Sequence, residues 1–462
     1  MNQLEQLRRR PRLRLGLALG AAAAVLLAAA LLLYGLIRPA KGPTEALSVP
    51  LQGAAPLRIA LLSDSHLGSD KQNEGNLRAA LQLLREEQVQ VILFAGDLGE
   101  RTGGRSAQTY RQAIEEIFQD AAIQPVLLSA MGQQDVAGAF SSAAAQRTFQ
   151  RALDQAPCAH LVVNGTHFIA LSADRREPSD AYTAGTLRWL EERLAQAAQE
   201  TETGRPIFVL THQPPADTVA GSGQGTGNQA LRDLLAKYPG VISVSGQTQR
   251  PQVDERMLWQ GQFTAIGLQG LSGVLLEPGY YDPARDLVSE DPLRPAQANA
   301  QPYLVLLRLG GSELTVERWN IKEAYREREW KLLLPLRAER FPYTPEARQT
   351  GNTPPYCPGG SAEVILFPSE NGGKRLGITF PAARDDGRIA AYELEATSHF
   401  GKTVTYRCAA DTFLGERASA QTVTLPLDPS LPAGTYTVKI TAIDDWDARS
   451  ASFYSCEATV EK

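Results

Sequence analysis

The chemistry that this sequence could perform is concentrated in short polar clusters, each directly after an apolar stretch. The stretch from Leu57 to His66 reads LRIALLSDSH and ends in Asp64 and His66. A carboxylate and an imidazole two residues apart are common ligands of transition metals in proteins. An apolar stretch followed directly by a polar cluster recurs four times downstream. The five clusters are Asp64 with His66, then Asp97, then Gln133, Gln134 and Asp135, then His212, and last Gln247 with Gln249.

The apolar stretches before these clusters are predicted to be buried β-strands, because they are short and rich in Val, Ile and Leu. The strand candidates are residues 57–63, 89–95, 125–129, 167–172, 206–211 and 240–245. The helix candidates between them are residues 76–88, 107–120, 184–199 and 228–237. Later segments, predicted to be antiparallel strands that close the domain, are 262–266, 273–276, 303–309 and 313–319. This alternation indicates an α/β fold class with a layered β core flanked by helices.

The positions of the clusters predict that they meet at one site. Each cluster follows a strand, and α/β sheets bind ligands in the crevice outside the carboxyl ends of their strands. Gly96, Gly132 and Gly246 come directly before three of the clusters. A glycine in such a position lets the chain turn sharply and approach a ligand closely.

The series of motifs resembles the calcineurin-like metallophosphoesterases, whose motifs read Asp-x-His, Gly-Asp, Gly-Asn-His-Asp/Glu, His and Gly-His-x-His. The resemblance covers about residues 57–320, with the same order and spacing. It implies a β-sandwich flanked by helices that holds two metal ions, often Fe, Mn or Zn. In that family the two ions activate a water molecule for phosphoester hydrolysis.

The resemblance assigns roles to individual residues of this chain. Asp64, His66 and Asp97 match the ligands of the first metal, with Asp97 bridging to the second. His212 matches a ligand of the second metal, and Asp135 matches the acidic end of the third motif.

Four glutamines stand where the family has other residues. Gln133 replaces an asparagine ligand, and Gln134 replaces the histidine that assists the substrate or leaving group. Gln247 and Gln249 replace two histidine ligands, one for each metal. A glutamine amide is uncharged and cannot carry a proton at neutral pH, so it neither binds a transition metal as imidazole does nor serves as an acid.

This ligand count predicts a degenerate dinuclear centre that holds one divalent ion (Mn, Fe or Zn) or none. A two-metal centre works because its two ions stabilise the attacking and the leaving oxygen. This chain is expected to lack the ligands that would hold both ions. The expected function is a weak or inactive phosphoesterase used for binding or scaffolding, with a phosphate ester as the candidate ligand. The alternative is an active hydrolase that uses one metal or a glutamine-assisted centre on an extracytoplasmic substrate.

The N-terminus predicts attachment to a membrane. Five arginines within residues 8–14 precede an uncharged stretch, rich in Leu and Ala, at residues 15–37. As a helix this stretch spans about 34 Å, enough to cross a hydrocarbon core of about 30 Å. A cleaved signal peptide is the alternative, but no small-x-small site ends the stretch. We expect a single-pass signal anchor in the cell membrane, with a cytoplasmic N-terminus and an extracytoplasmic main body.

Changes in composition divide the chain into five parts. They are residues 1–38 (cytoplasmic tail and transmembrane anchor), 39–56 (tether), 57–335 (metallophosphoesterase domain), 336–360 (linker) and 361–462 (all-β sandwich). About seven short alternating strands with turn signals predict the sandwich. The phrase from Leu431 to Val438, followed by Ile443 to Trp446, resembles the late strands of fibronectin type III domains. Such a domain is a candidate for contact with a cell-surface partner.

Charge and cysteine content narrow the range of functions. The chain carries a net charge of −5, and its first 38 residues hold six arginines and one glutamate. The remainder is therefore acidic, at about −10, which argues against a nucleic-acid-binding protein. The four cysteines lie in the part predicted to be extracytoplasmic, where a disulfide would persist, but the sequence does not select a pairing.

Overall fold

A computed structural model describes residues 47–49, 56–100, 104–137, 139–200, 204–223, 225–283, 285–289, 296–298, 300–368, 374–416 and 421–461. The predicted anchor at residues 15–37 lies outside the described residues. Within the described part of the chain, no helix has the length and apolar character needed to span a membrane.

The elements follow in chain order. The strands up to residue 333 are β1 (Leu47–Val49), β2 (Leu57–Leu62), β3 (Val91–Ala95), β4 (Val126–Ala130), β5 (Cys158–Val163), β6 (Thr166–Leu171), β7 (Ile207–Leu210), β8 (Val241–Ser245), β9 (Leu258–Gln260), β10 (Thr264–Gly267), β11 (Val274–Leu275), β12 (Tyr280–Asp282), β13 (Leu287–Ser289), β14 (Gln297–Ala298), β15 (Tyr303–Leu309), β16 (Glu313–Asn320), β17 (Tyr325–Arg326) and β18 (Trp330–Leu333). The helices are α1 (Lys71–Glu86), α2 (Gly104–Phe118), α3 (Gln133–Val136), α4 (Ser142–Leu153), α5 (Ala184–Glu200), α6 (Gln229–Leu235) and α7 (Pro345–Gly351).

Two mixed sheets pack face to face between two layers of helices. One sheet has the strand order β1-β5-β6-β7-β8-β10-β9, and the other has the order β17-β16-β15-β2-β3-β4, with β18 beside β16. The parallel neighbours β2, β3 and β4 carry the first three clusters, whereas β7 and β8 of the facing sheet carry the last two. The predicted α/β class with a layered core is confirmed.

Side chains along each strand point alternately to the two faces of the sheet, and this alternation produces one core between the sheets and another beneath the helices. In β2, Ile59 and Leu61 enter the core between the two sheets. Ala60 and Leu62 point the other way and pack with apolar residues of α1 and α2. Because both faces of the strand are covered, the sequence here is apolar throughout rather than alternating with polar residues. The carboxyl ends of such strands are therefore the places where polar side chains emerge.

Two details differ from the expected pattern. The segment predicted at 262–266 is β10, which runs parallel to β8 and antiparallel only to β9. Residues Leu47–Val49, within the predicted tether, form β1 and pair in parallel with β5 at the sheet edge. Edge pairing supplies the hydrogen bonds that a free connecting segment would lack.

The C-terminal region is rich in β-structure. Its strands are β19 (Glu363–Pro368), β20 (Lys374–Pro381), β21 (Ile389–Ser398), β22 (Thr403–Ala409), β23 (Thr422–Pro426), β24 (Gly434–Asp444) and β25 (Tyr454–Val460). One sheet has the order β19-β20-β23, and the facing sheet contains β22-β21-β24-β25. All four cysteines of the chain are free thiols.

The C-terminal sheets are joined to the rest of the molecule through strands from earlier in the chain. The hairpin β12–β13 extends the larger sheet, with Tyr280 of β12 opposite Arg407 of β22. The segment before the C-terminal strands is also packed, since Leu336 and Phe341 are buried in the core between the two sheets of the first region.

A buried ionic cluster lies at this junction. The Arg318 side chain is 1% exposed and lies 2.9 Å from a carboxylate oxygen of Glu255. Its guanidinium stacks over Trp330 at 4.0 Å, and the indole Nε1 of Trp330 donates to Glu255 at 2.7 Å. Arg318 also donates to the carbonyl oxygens of Arg328 and Val253. Every charge in the cluster therefore has a partner, which is the condition for burying it.

Replacing Arg318 tests this cluster. Arg318→Ala should lower the free energy of unfolding by about 3–5 kcal/mol, because it removes the nearest cation from Glu255 and the donor from two carbonyl oxygens. Arg326→Ala serves as the control, since Arg326 pairs with Glu317 from a side chain that is 46% exposed. That change should cost about 1 kcal/mol or less. Urea denaturation of both variants measures the difference, and equal losses would contradict the prediction.

Candidate metal centre

The five predicted clusters meet where the carboxyl ends of the two sheets face each other. Asp64 and Asp97 follow β2 and β3, and both are buried. His212 follows β7 of the opposite sheet and is completely buried. One ligand atom from each of these three residues lies within 4.8 Å of the others, a group of the size that could hold a metal ion. The expected convergence of loops from both sheets is therefore seen.

The backbone at this site is held in an uncommon conformation. Asp64, His66, Asp97, Gln247 and Gln249 all have positive φ angles, between 42° and 67°. Residues other than glycine rarely adopt this left-handed region, and such residues concentrate at functional sites, where surrounding contacts hold them. Side chains following these strands are thereby turned toward a common point.

Glycines make room for the loops to approach each other. A Cβ atom added at Gly132 would lie 2.1 Å from Asp97 Oδ1 and 2.7 Å from the His212 ring. A Cβ atom added at Gly246 would lie 1.9 Å from Ser63 Oγ and 2.4 Å from Asp64 Oδ2. Neither position accepts a larger residue without displacing a carboxylate of the site.

Asp97 and His212 form the link between the two sheets. The Asp97 carboxylate lies 3.1 Å from His212 Nε2 and accepts the backbone N–H of Gln134 at 2.9 Å. His212 Nδ1 lies 2.7 Å from the carbonyl oxygen of Ala95, to which it donates. Burial opposes charge on both groups, but their mutual attraction lowers the pKa of Asp97 and raises the pKa of His212. Without a cation, a proton on His212 therefore balances the Asp97 charge.

The Gln249 side chain lies inside the site. Its amide nitrogen donates to Asp64 Oδ1 at 3.0 Å and lies 3.1 Å from His66 Nε2. Asp64 also accepts the backbone N–H of Gln247 at 3.2 Å and the hydroxyl of Ser63. The buried Asp64 carboxylate is thus surrounded by uncharged donors.

Gln249 and Glu100 lie on opposite ring nitrogens of His66. In a neutral ring, the Gln249 amide nitrogen donates to Nε2 and the ring proton lies on Nδ1, 3.2 Å from a carboxylate oxygen of Glu100. Burial opposes a second proton, but hydrogen bonding to Asp64 and the charges of Asp97 and Glu100 raise the pKa of His66 to about 9.

Asp135 ties the second and third loops together. Its carboxylate accepts the backbone N–H groups of Gly132, Leu98 and Gly99 at 3.0 to 3.3 Å. Burial, assisted by the charge of Asp97, raises the pKa of Asp135 to about 7. Its role in the geometry is to position the loops that carry Asp97 and Gln133.

Sequence reasoning missed two contributors. Glu100 partners His66, and its place three residues after Asp97 was a signal that could have found it. Ser63 donates to Asp64, but a serine before Asp64 has no distinguishing pattern.

The residues present fit one cation better than two. The side-chain oxygens of Gln133 and Gln247 are buried without a hydrogen-bond partner, and His212 Nε2 faces the Asp97 carboxylate. A cation near Asp97 would use such lone pairs. Asp64, Asp97 and His212 are three of the four predicted metal ligands. The fourth, His66, contacts the Gln249 amide.

A comparison of the sequence with models of protein families agrees with these motifs and with their convergence. The family model described as calcineurin-like phosphoesterase matches residues 57–246. These residues form a calcineurin-like metallophosphoesterase domain. The predicted resemblance is confirmed for this domain, whose family normally depends on divalent metals.

Solved structures offer distant likenesses to this chain. A dimetal phosphatase from Danio rerio is 12% identical, covers 61% of this chain and 100% of its own, and has a TM-score of 0.41. GAP50, the anchor in the inner membrane complex of Plasmodium, is 14% identical over 61% of this chain and 90% of its own, with a TM-score of 0.41. A purple acid phosphatase from yellow lupin seeds is 12% identical over 61% of this chain and 54% of its own, with a TM-score of 0.42. No curated protein shows significant sequence similarity to the chain.

The close approach at Gly246 gives a stability test. Gly246→Ala should lower the free energy of unfolding by about 1–3 kcal/mol, because the added methyl group overlaps Ser63 and Asp64. Gly240→Ala is the matched control, since nothing lies within 4 Å of a Cβ atom added there. The control should change stability by about 0.5 kcal/mol or less. Urea titration of the two variants checks the prediction, and a neutral Gly246→Ala would show that the loop has room to spare.

Proposed function

We propose that this chain is a metallophosphoesterase-family protein with a degenerate dinuclear centre, which binds a phosphate-ester ligand and hydrolyses it weakly or not at all. The observation that carries the proposal is the Gln249 amide between Asp64 and His66. An imidazole is the family's residue at this position, and an amide nitrogen has no lone pair to offer a metal.

The position of Gln134 supports the same conclusion. Its backbone N–H is committed to Asp97, and its side chain stands where the family has a proton-donating histidine. An amide does not titrate, so it cannot protonate a leaving alkoxide. Loss of a general acid typically costs about 10²–10⁴-fold in rate, before any loss of metal is counted.

A one-metal hydrolase is the second candidate. The convergence of Asp64, Asp97 and His212 favours it, because three ligands within 4.8 Å are enough to hold an ion completed by water. Turnover of phosphoesters that Asp97→Asn abolishes would establish this candidate and refute the binding role.

Restoring the family's residues tests the degenerate centre. The variant Gln133→Asn, Gln134→His, Gln247→His and Gln249→His should gain metal content and phosphoesterase activity, because the turns and the remaining ligands are in place. Metal analysis and assays with p-nitrophenyl monoesters and diesters, on the full chain in detergent, measure both gains.

A matched control for that variant replaces exposed glutamines, Gln72→His and Gln229→His, both on helix surfaces. It should leave metal content and activity at the wild-type level. If the quadruple variant binds no more metal than this control, the loops have moved away from the family's geometry and the proposal is wrong.

We also propose that the chain is anchored in the cell membrane by residues 15–37, with its body extracytoplasmic, and that residues 361–462 are fibronectin type III-like. Arrangement of the C-terminal strands as β19-β20-β23 against β22-β21-β24-β25 supports the second point, since it is the three-plus-four division of such sandwiches. This sandwich is the candidate surface for a cell-surface partner.

Fractionation tests the anchor. The full chain should sediment with membranes and resist alkaline carbonate extraction, whereas a chain lacking residues 1–38 should remain in the supernatant. Protease added to intact cells should digest the body of the full chain. A mature protein that begins after residue 37 would instead support a cleaved signal peptide and contradict the anchor.

A further inference from the structure

The buried polar atoms of the metal centre divide into two groups. Gln133 Oε1 and Gln247 Oε1 have no hydrogen-bond partner, and His212 Nε2 faces the Asp97 carboxylate at 3.1 Å. By contrast, the amide nitrogen of Gln249 is engaged by Asp64 and lies against His66. Buried acceptors normally have donors, so two unpartnered amide oxygens at a single site require an explanation.

We propose that the Gln249 side chain permanently occupies one of the two cation positions of the domain, and that the other position takes a single hard divalent cation of the Mg²⁺ or Mn²⁺ class. This inference rests on the proposed degenerate centre and specifies what remains of it.

Distances support the first half of the proposal. A divalent ion binds oxygen or nitrogen ligands at about 2.0–2.6 Å. The Gln249 nitrogen already lies 3.0 Å from Asp64 Oδ1 and 3.1 Å from His66 Nε2, which themselves are 3.7 Å apart. An ion shared by these two residues would have to lie where the amide is. The dipoles of the amide N–H groups also place positive potential next to the Asp64 carboxylate, which is part of what the charge of an ion would do there.

The chemistry of the remaining donors supports the second half. Asp64 and Asp97 offer carboxylate oxygens, Gln133 and Gln247 offer unpartnered amide oxygens, and His212 offers one imidazole nitrogen. Because His212 Nδ1 donates to the Ala95 carbonyl, a neutral His212 ring would direct its Nε2 lone pair toward a cation beside Asp97, the arrangement seen for metal-binding histidines. Carboxylate and carbonyl oxygens suit Mg²⁺ and Mn²⁺, whereas imidazole-rich sites suit Zn²⁺ and Fe.

The decisive variant is Gln249→Glu, which keeps the size of the side chain but removes its donor. We expect the wild type to hold one Mn²⁺ per chain and the Gln249→Glu variant to hold two, because a carboxylate repels Asp64 unless an ion lies between them. Gln229→Glu adds the same charge at an exposed helix position and should leave the count at one. Metal analysis of the full chain in detergent, after equilibration with Mn²⁺ and gel filtration, gives the counts.

Thermal unfolding provides a second readout that is independent of activity. Without metal, Gln249→Glu should unfold at a lower temperature than wild type, and Mn²⁺ should raise its unfolding temperature more than that of wild type. Gln247→His should increase the ratio of Zn²⁺ to Mg²⁺ affinity by about tenfold or more, because it exchanges an amide oxygen for an imidazole.

The outcomes separate this inference from the proposed function. Two ions in the wild type, or one ion in Gln249→Glu, would overturn the occupancy by Gln249. A wild type that holds no ion, or an unchanged metal preference in Gln247→His, would overturn the hard-cation site. Phosphoester turnover by a wild type that holds one ion would refute only the proposed binding role.

Discussion

Two carboxylates buried between opposing sheets are the constraint on which the arrangement of this site depends. Asp64 is 0% exposed and Asp97 is 4% exposed. An ionised carboxylate removed from water is strongly destabilising unless charges or hydrogen-bond donors compensate it. Every neighbouring feature can be understood as such compensation: the N–H groups of Gln134 and Gln247, the Ser63 hydroxyl, the His212 ring and the Gln249 amide.

The same constraint explains how glutamines are tolerated at this centre. A histidine lost from a two-metal site leaves carboxylates without their cation, and a hydrophobic replacement would leave them without any donor. Glutamine brings two N–H donors on a side chain long enough to reach Asp64. Left-handed backbone at Gln247 and Gln249 aims those side chains inward, and Gly246 still provides the close approach. These turns and the Gln249 amide together supply hydrogen-bond donors to the buried Asp64 carboxylate.

Much of this could be predicted from the sequence, because buried strands and the loops after them have a strong signature. The predicted segments 57–63, 89–95 and 240–245 correspond to β2, β3 and β8 within two residues. Helix α4 and strand β5 were missed, since α4 is rich in alanine and β5 contains a histidine and a cysteine. Side-chain partners could not be predicted either. The pattern identified Gln249 as a replaced ligand, but its contacts with Asp64 and His66 depend on how residues 185 and 183 positions apart are brought together.

The loop that carries Gln249 and Arg250 also connects the site to the C-terminal region. The carbonyl oxygen of Gln249 accepts the backbone N–H of Leu275 in β11 at 2.9 Å, and Arg250 donates to the carbonyl oxygen of Leu275. Five residues later, β12 begins and pairs with β22 of the C-terminal sheet. A short, hydrogen-bonded path thus runs from a side chain inside the metal centre to a strand of the neighbouring sheet. The buried Arg318 and Glu255 pair lies at the same junction. Contacts that run from the C-terminal sheet through β12 and β11 therefore help to set the position of the loop that carries the Gln249 amide.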